Sequence, residues 1–323
     1  MWNIALFLTL LVTLCLLPTA YGNEAIGRGY YLNGVDFIAK PLSGSAGKQV
    51  FDDVSINCVE EPAKERRTGQ TETYYGSNED FYSNTAFAVG LEEDVNLAYT
   101  FESTLQALSH NSAADKLNGY LMDYHSYIKS KQIIPRCLKN FEPTEEFSDD
   151  FDALPSKVSN PGSPASWAKY KSFLRKYGSH VVKEVIYGVS LQIYYFADEA
   201  RKYTSSDYRV YACEKLAAPQ SNSADFMNVC FKVTNKEKQE AANFEISEKK
   251  VIRGGTESTR SKLLTGVTQS LINTFTEDEA DNHATAVQYK FIAIWDLLSL
   301  KYLEPEDKTK TVNLKTYYEK YAD

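Results

Sequence analysis

Ser179 and His180 are adjacent, and they are the first residues in this chain whose types could do chemistry together. A serine nucleophile and its histidine base normally meet across a fold, not along a chain. No Gly-x-Ser-x-Gly or His-Glu-x-x-His stretch accompanies them. Gly44-Ser-Ala-Gly-Lys48 imitates a phosphate loop, but that motif needs glycine where Leu42 stands and a hydroxyl where Gln49 stands. No Cys-x2-Cys pair exists and the four histidines are scattered, so a metal site is not expected. Neither catalysis nor a cofactor is expected. The chemistry that remains is disulfide formation.

That chemistry depends on compartment. Ile4 to Leu17 is almost unbroken apolar sequence, followed by Pro18-Thr19-Ala20-Tyr21-Gly22. Ala20 and Gly22 have the small-residue spacing of a signal-peptidase site, so residues 1–22 read as a signal peptide and Asn23 as the mature start. The run is shorter than the roughly 20 residues of a retained anchor helix. Cys15 would leave with it, and Cys58, Cys137, Cys213 and Cys230 remain. An even count in an oxidising compartment suggests two disulfides. Of the three possible pairings, Cys213–Cys230 is preferred because the two are close in sequence, which leaves Cys58 with Cys137.

The elements that must position these residues follow from composition and periodicity. The 323 residues are 43% hydrophobic with a net charge of −8, as in an acidic globular domain. Such a chain is poorly suited to nucleic acid or to generic anionic lipid. Residues 23–83 read as short strands and loops, with 61–80 a polar surface loop, and Glu142 to Asp152 as a second surface stretch. Ser163 and Pro164 open a helix that carries Trp167, Tyr170, Leu174 and Tyr177 and stops at Gly178. Val181 to Tyr195 is a strand. Thr256 to Phe275 is a helix with Leu263, Leu264, Val267, Leu271 and Phe275 on one face. Val287 to Leu298 is a buried strand, and Leu314, Tyr317 and Tyr321 mark a short terminal helix.

Residues 95–107 fit two periods. Val95, Leu97, Tyr99, Phe101, Leu105 and Ala107 alternate with polar residues, as in an amphipathic strand. Phe101, Leu105 and Leu108 also form a helical stripe. Ala114, Leu117 and Leu121 then have helical spacing, and Tyr120, Met122, Tyr124 and Ile128 return to alternation. The plain reading is strand, helix, strand. The functional reading is a segment helical in one state and a β-hairpin in another, since amphipathic strands can cross a bilayer once closed into a barrel. A second, weaker alternation runs through Phe231, Val233, Phe244 and Ile246 and ends at Gly254-Gly255, which reads as a sharp bend or a plain turn.

Tyr170, six residues, Tyr177 and then Gly178-Ser179-His180 resembles the signature of the membrane attack complex/perforin family, with Ser179 in place of the usual threonine. Gly29-Tyr30 to Pro41-Leu42 resembles its N-terminal strand, Gly254-Gly255 its sheet-bend glycines, and Ile294-Trp295-Asp296-Leu297-Leu298 its closing segment. Among relatives, the chain is most similar to secreted cnidarian-type cytolysins. The resemblance implies an α+β fold, a bent four-stranded antiparallel sheet flanked by two helical clusters near 102–119 and 197–243. It implies a family domain over 23–303, a short tail over 304–323, and no separate accessory domain. It further implies a secreted protein that forms a homo-oligomeric ring on a target-cell membrane and inserts two hairpins per subunit. Attachment would need a specific lipid, glycan or receptor, or a separate targeting subunit. The alternative is a non-lytic secreted binding or adhesion module. Tyr170, Tyr177 and His180 are then structural or switch residues, and the Cys213–Cys230 bridge would lie inside the second cluster, where it would constrain unfurling.

Overall fold

The computed structural model describes residues 25–51, 58–62, 66–91, 97–109, 116–216, 230 and 233–321. The signal-peptide segment, Val95 and Phe231 lie outside them.

Strands β1 (Arg28–Tyr31), β2 (Ser45–Gln49), β3 (Val59–Glu60) and β4 (Arg67–Tyr75) precede helices α1 (Asn78–Ala88) and α2 (Leu97–Ser109). The long β5 (Leu117–Ile133) leads to α3 (Pro135–Lys139), α4 (Glu145–Asp152) and α5 (Ala168–Tyr177). The central β6 (His180–Asp198) is followed by α6 (Ser205–Lys215), α7 (Asn235–Ala241) and β7 (Ser247–Arg253). Helices α8 (Glu257–Thr265) and α9 (Gln269–Asn273) run into a π-turn (Thr274–Asp278). Then come β8 (Thr285–Ala293), α10 (Ile294–Lys301) and α11 (Pro305–Tyr321).

The named strands pair antiparallel throughout. β5 and β6 lie side by side along most of their length. The outer edge of β5 takes β3 and β4, and the outer edge of β6 takes β7 and then β8. The sheet is therefore four ribbons wide, as the resemblance implied. Several of its irregularities fall on one line, while further register shifts lie elsewhere, between Arg28 and Tyr30 and between Val182 and Glu184. Ile128 is skipped between Tyr127 and Lys129, opposite Gly188, and the fourth ribbon breaks between Arg253 and Thr285. A Cβ on Gly188 would stand 2.0 Å from the Ser126 carbonyl oxygen, and one on Gly254 would stand 2.5 Å from the Gly188 carbonyl oxygen. Bulged strands bend and twist, so this line is where the sheet turns. Gly188 is the bend residue that sequence reading missed, because its need for a bare backbone comes from a neighbouring strand.

Three aromatic-rich cores follow. One, on the Tyr75–Tyr194–Phe196 side of the sheet, holds α1 and α2 through Phe81, Phe101, Leu105 and Leu108. Another lies on the opposite side, where Tyr120, Met122, Leu191 and Tyr195 pack against Tyr208, Leu263 and Phe275. The third joins α4, α5, α10 and α11 at the base.

Several expectations are corrected. Residues 67–75 form an edge strand, not a loop; most of its polar residues are exposed or half-buried and only Tyr75 is buried. Residues 78–88 form a helix, capped by the Ser77 side chain, which accepts from the Asp80 amide. Residues 97–109 are helical, so the stripe prevails over alternation in this state. Leu117 and Leu121 are strand, not helix. The acidic stretch folds as α4 and buries Phe147 and Phe151. The 256–275 helix is broken at Gly266, and Leu264 is exposed, because Thr268 caps a fresh helix by accepting from the Leu271 amide. Ile294 to Leu298 is helix, not strand. The terminal helix is longer than its three marker residues indicated, and Leu314, Tyr317 and Tyr318 anchor it in the base core. Of the expected N-terminal strand, only residues 28–31 pair.

Candidate functional site

The family signature builds a hub. Tyr177 donates from its hydroxyl to Asp150 at 2.6 Å, and the same oxygen lies 2.9 Å from the Glu146 carbonyl oxygen. Hydrogen bonds from Lys176 and Tyr177 hold the Asp150 carboxyl below its usual value. Tyr170 donates to the Pro155 carbonyl oxygen at 2.6 Å and accepts from Asn313 of α11 at 3.0 Å. Gly178 ends α5 with φ 90° and ψ 167°, a conformation essentially restricted to glycine. The Tyr177–Gly178 backbone passes directly against β1 and β2: Cβ atoms on Gly29 and Gly47 would stand 1.8 Å and 2.3 Å from it. Ser179 then ties in the N-terminal segment. Its Oγ accepts from the Leu32 amide at 2.9 Å and lies 3.2 Å from the Tyr30 carbonyl oxygen.

His180 Nδ1 lies 2.9 Å from Ser179 Oγ, and its ring sits among Phe37, Trp295 and Tyr318. The tautomer with the proton on Nδ1 satisfies the cluster best. The ring then donates to Ser179 Oγ, and the serine hydroxyl donates to Tyr30. Nε2 has no partner among the described residues. Both residues are fully buried, and no polar group among the described residues pairs with the far ring nitrogen, so the pair is a packed joint. Burial lowers the His180 pKa from 6.5 to about 3. Below pH 6.5 the unfolded chain binds a proton that the folded ring refuses, so stability should fall with pH. The slope is about 1.4 kcal/mol per unit, giving roughly 2 kcal/mol between pH 6.5 and 5, above the carboxylate range. Urea midpoints at pH 7, 6 and 5 test this, and a flat profile across that window would contradict it.

A clamp covers the glycine pair. Glu279 accepts from the Thr256 amide at 2.9 Å and from Thr259 Oγ1 at 2.6 Å, and Arg260 donates to the Gly255 carbonyl oxygen at 2.5 Å. From the far side of the sheet, just before β4, Arg66 reaches the carbonyl oxygens of Thr276 and Glu277 at 2.6 and 2.7 Å. It also reaches Ser126 Oγ of β5 at 3.1 Å. Arg66 thus fastens the π-turn to the sheet beside the bend. Nothing in its local sequence signals this. Arg66→Met should lower stability by roughly 1.5–3 kcal/mol. Amide exchange should rise first over 274–278 while β5–β6 stays protected; uniform loss of protection would refute a local clamp.

The helical clusters are insertions in the sheet. α1 and α2 lie in the segment joining β4 to its neighbour β5, and α6 and α7 in the segment joining β6 to its neighbour β7. This corrects the first cluster, expected near 102–119: its described helices are α1 and α2, over 78–88 and 97–109, and residues 117–119 already belong to β5. Leu97, Tyr99, Phe101 and Leu105 belong to it, on α2. Tyr120, Met122, Tyr124 and Ile128 do not, being already in β5. Val233 precedes α7, and Phe244 and Ile246 lie between α7 and β7 in no strand. Both expected disulfides are present, Cys58–Cys137 at the base and Cys213–Cys230 in the second cluster.

A bent antiparallel sheet with a helical insertion between each outer strand and its inner neighbour defines the perforin-like class of fold. A profile of the MAC/Perforin domain matches residues 70–323, and the chain belongs to that family. It is 29% identical to DELTA-alicitoxin-Pse2b of Phyllodiscus semoni over 95% of this chain and 63% of that one. It is also 29% identical to DELTA-thalatoxin-Avl2a of Actineria villosa over 93% of this chain and 60% of that one. The chain thus spans about six-tenths of the length of the curated relatives it matches. Among solved structures, GNIP1Aa from Chromobacterium piscinae aligns with TM-score 0.59 at 14% identity, covering 91% of this chain and 55% of that one. A putative cell invasion protein with a MAC/Perforin domain from Bacteroides thetaiotaomicron aligns with TM-score 0.54 at 12% identity, covering 90% and 59%. These two share the fold.

Proposed function

We propose that this chain is the pore-forming part of a secreted, non-enzymatic toxin, exported by the signal peptide at 1–22. It assembles into a homo-oligomeric ring on a target-cell membrane and inserts two β-hairpins per subunit. Among the described residues no helix is long and apolar enough to cross a membrane, so its membrane surface is sought in strands.

One observation carries the reading. In the β4–β5 ladder the residue numbers of every pair add up to 194, from Arg67 with Tyr127 to Tyr75 with Gly119. In the β6–β7 ladder they add up to 443, from Ser190 with Arg253 to Phe196 with Ser247. Continuing both ladders without slip puts Phe81, Thr85, Phe87, Val89 and Leu91 on one row of the first hairpin, with Tyr99, Phe101, Leu105 and Ala107 opposite. The other row carries Asn84, Gly90, Thr100, Glu102, Thr104 and Gln106, together with Tyr82, Ala86, Ala88 and Leu108; Glu93 is the one charge on the apolar row between Phe81 and Ala107. In the second hairpin, Tyr208, Val210, Ala212 and Leu216 share a row with Val233 opposite, and Ser205, Asp207, Arg209 and Lys215 share the other with Tyr211, Phe244 and Ile246. Counting outward from Tyr75 and from Tyr194–Phe196, both apolar rows fall on the same side of the sheet. A barrel wall with a single lipid face needs that coincidence.

Dye release from resealed erythrocyte ghosts, with negative-stain imaging of the same membranes, is the test. Rings with release support the reading. Binding with neither would make the chain a non-lytic adhesion module.

A further inference from the structure

Cys213 and Cys230 also add up to 443. The disulfide therefore joins two residues that face each other directly once the β6–β7 ladder is continued through the second cluster. Their Cα atoms are already 5.3 Å apart, inside the roughly 4.5–5.5 Å of directly opposed antiparallel residues. A bond between residues chosen only to staple α6 to its surroundings would have no reason to obey the register of a ladder that ends 17 residues before Cys213, at Phe196 with Ser247.

We infer that the Cys213–Cys230 disulfide is a register pin for the second hairpin, kept intact through insertion. This rests on the pore reading above. The bridge does not hold the cluster shut; it fixes in advance which residues of the two arms pair. Strand register is otherwise weakly specified where neither face has yet been buried, and a one-residue slip exchanges the two faces. In the pinned register Asp207 stands opposite Lys236 and Val210 opposite Val233. By sequence alone, Met227, Val229 and Phe231 fall on the apolar row and Lys232 on the polar one. The bridge itself lies on the polar row, away from lipid. Glu214 is the one charge on the apolar row of the first arm between Tyr208 and Leu216.

Two proteins distinguish a pin from a lock, each tested oxidised and after reduction on resealed, dye-loaded erythrocyte ghosts. The first is the natural chain. The second carries Ala212→Cys with Cys213→Ser, which places the bridge to Cys230 one place out of register, its closure in the oxidised protein checked by alkylation and mass spectrometry before the release assay. The oxidised natural chain should release dye at full rate, with its bridge still closed in inserted oligomers on alkylation and non-reducing electrophoresis. Reduction should change its rate less than twofold or slow it. The oxidised shifted variant should be at least tenfold slower and should recover on reduction, which also shows that it folds. A natural chain that releases dye only after reduction would overturn the pin while leaving the pore reading standing. Equal rates for both oxidised proteins would do the same. No release from any form would overturn the pore reading and the pin with it.

Discussion

Phe87→Lys should leave the free protein as stable as before and cut membrane permeabilisation at least tenfold. Phe87 is 86% exposed on α1, an unusual place for a large apolar ring. Nothing in the folded state depends on it, and exposed substitutions usually change stability by less than about 0.5 kcal/mol. In the continued β4–β5 register, however, it stands opposite Ala107 on the apolar row. A lysine on the lipid face of a barrel costs up to ~4 kcal/mol, depending on depth, and the cost recurs in every subunit. The measurement pairs a urea melt with dye release from ghosts. Unchanged release by a normally folded Phe87→Lys protein would contradict the register argument. Phe87→Leu should retain release, which separates loss of apolar area from loss of the ring itself.

Gly178→Ala should be among the most destabilising single substitutions in the chain, by roughly 3–5 kcal/mol. Two costs act together. The backbone at φ 90° and ψ 167° is one that an L-residue avoids. The added Cβ would lie 2.4 Å from the Tyr30 amide nitrogen and 2.6 Å from the Gly29 carbonyl carbon, and backbone cannot swing aside as a side chain can. Relief requires β1 to move off the end of α5, which removes the Ser179 amide bond to the Tyr30 carbonyl oxygen, now 2.9 Å. The buried ring of His180 beside it would then gain access to water. The pH dependence of stability between 6.5 and 5 should therefore flatten in this variant. A loss below about 1 kcal/mol on chemical unfolding would show that the hub is more plastic than its packing indicates.

Much of this was legible in the residues. The helix before Gly178, the strand after it, the signature residues and the Cys213–Cys230 pairing could be read locally, because caps, stop signals and close cysteine spacing act over a few residues, and Cys58–Cys137 followed only by elimination. The failures have a common cause. Residues 67–75 read as a loop because an edge strand exposes most of its side chains, and α1 reads as part of the same polar stretch although Ser77 and Asp80 mark its start. Tyr120, Met122 and Tyr124 alternate as an inserting strand would, but the same alternation serves a strand buried against α6 and its neighbours. The 97–109 segment is the clearest case. Its sequence holds both a helical stripe and an alternating row, and only the surface offered by the first core decides that the stripe is used.

The periodicities, the signature and the number of cysteines left to pair are written in the residues alone. Which strands are neighbours emerges only from the folded sheet, and with it the two constant registers, the common side of both apolar rows and the alignment of Cys213 with Cys230. The physical reason is that periodicity is a property of a few consecutive residues. Register is a relation between distant ones, set by hydrogen bonds that form only once the chain has closed on itself.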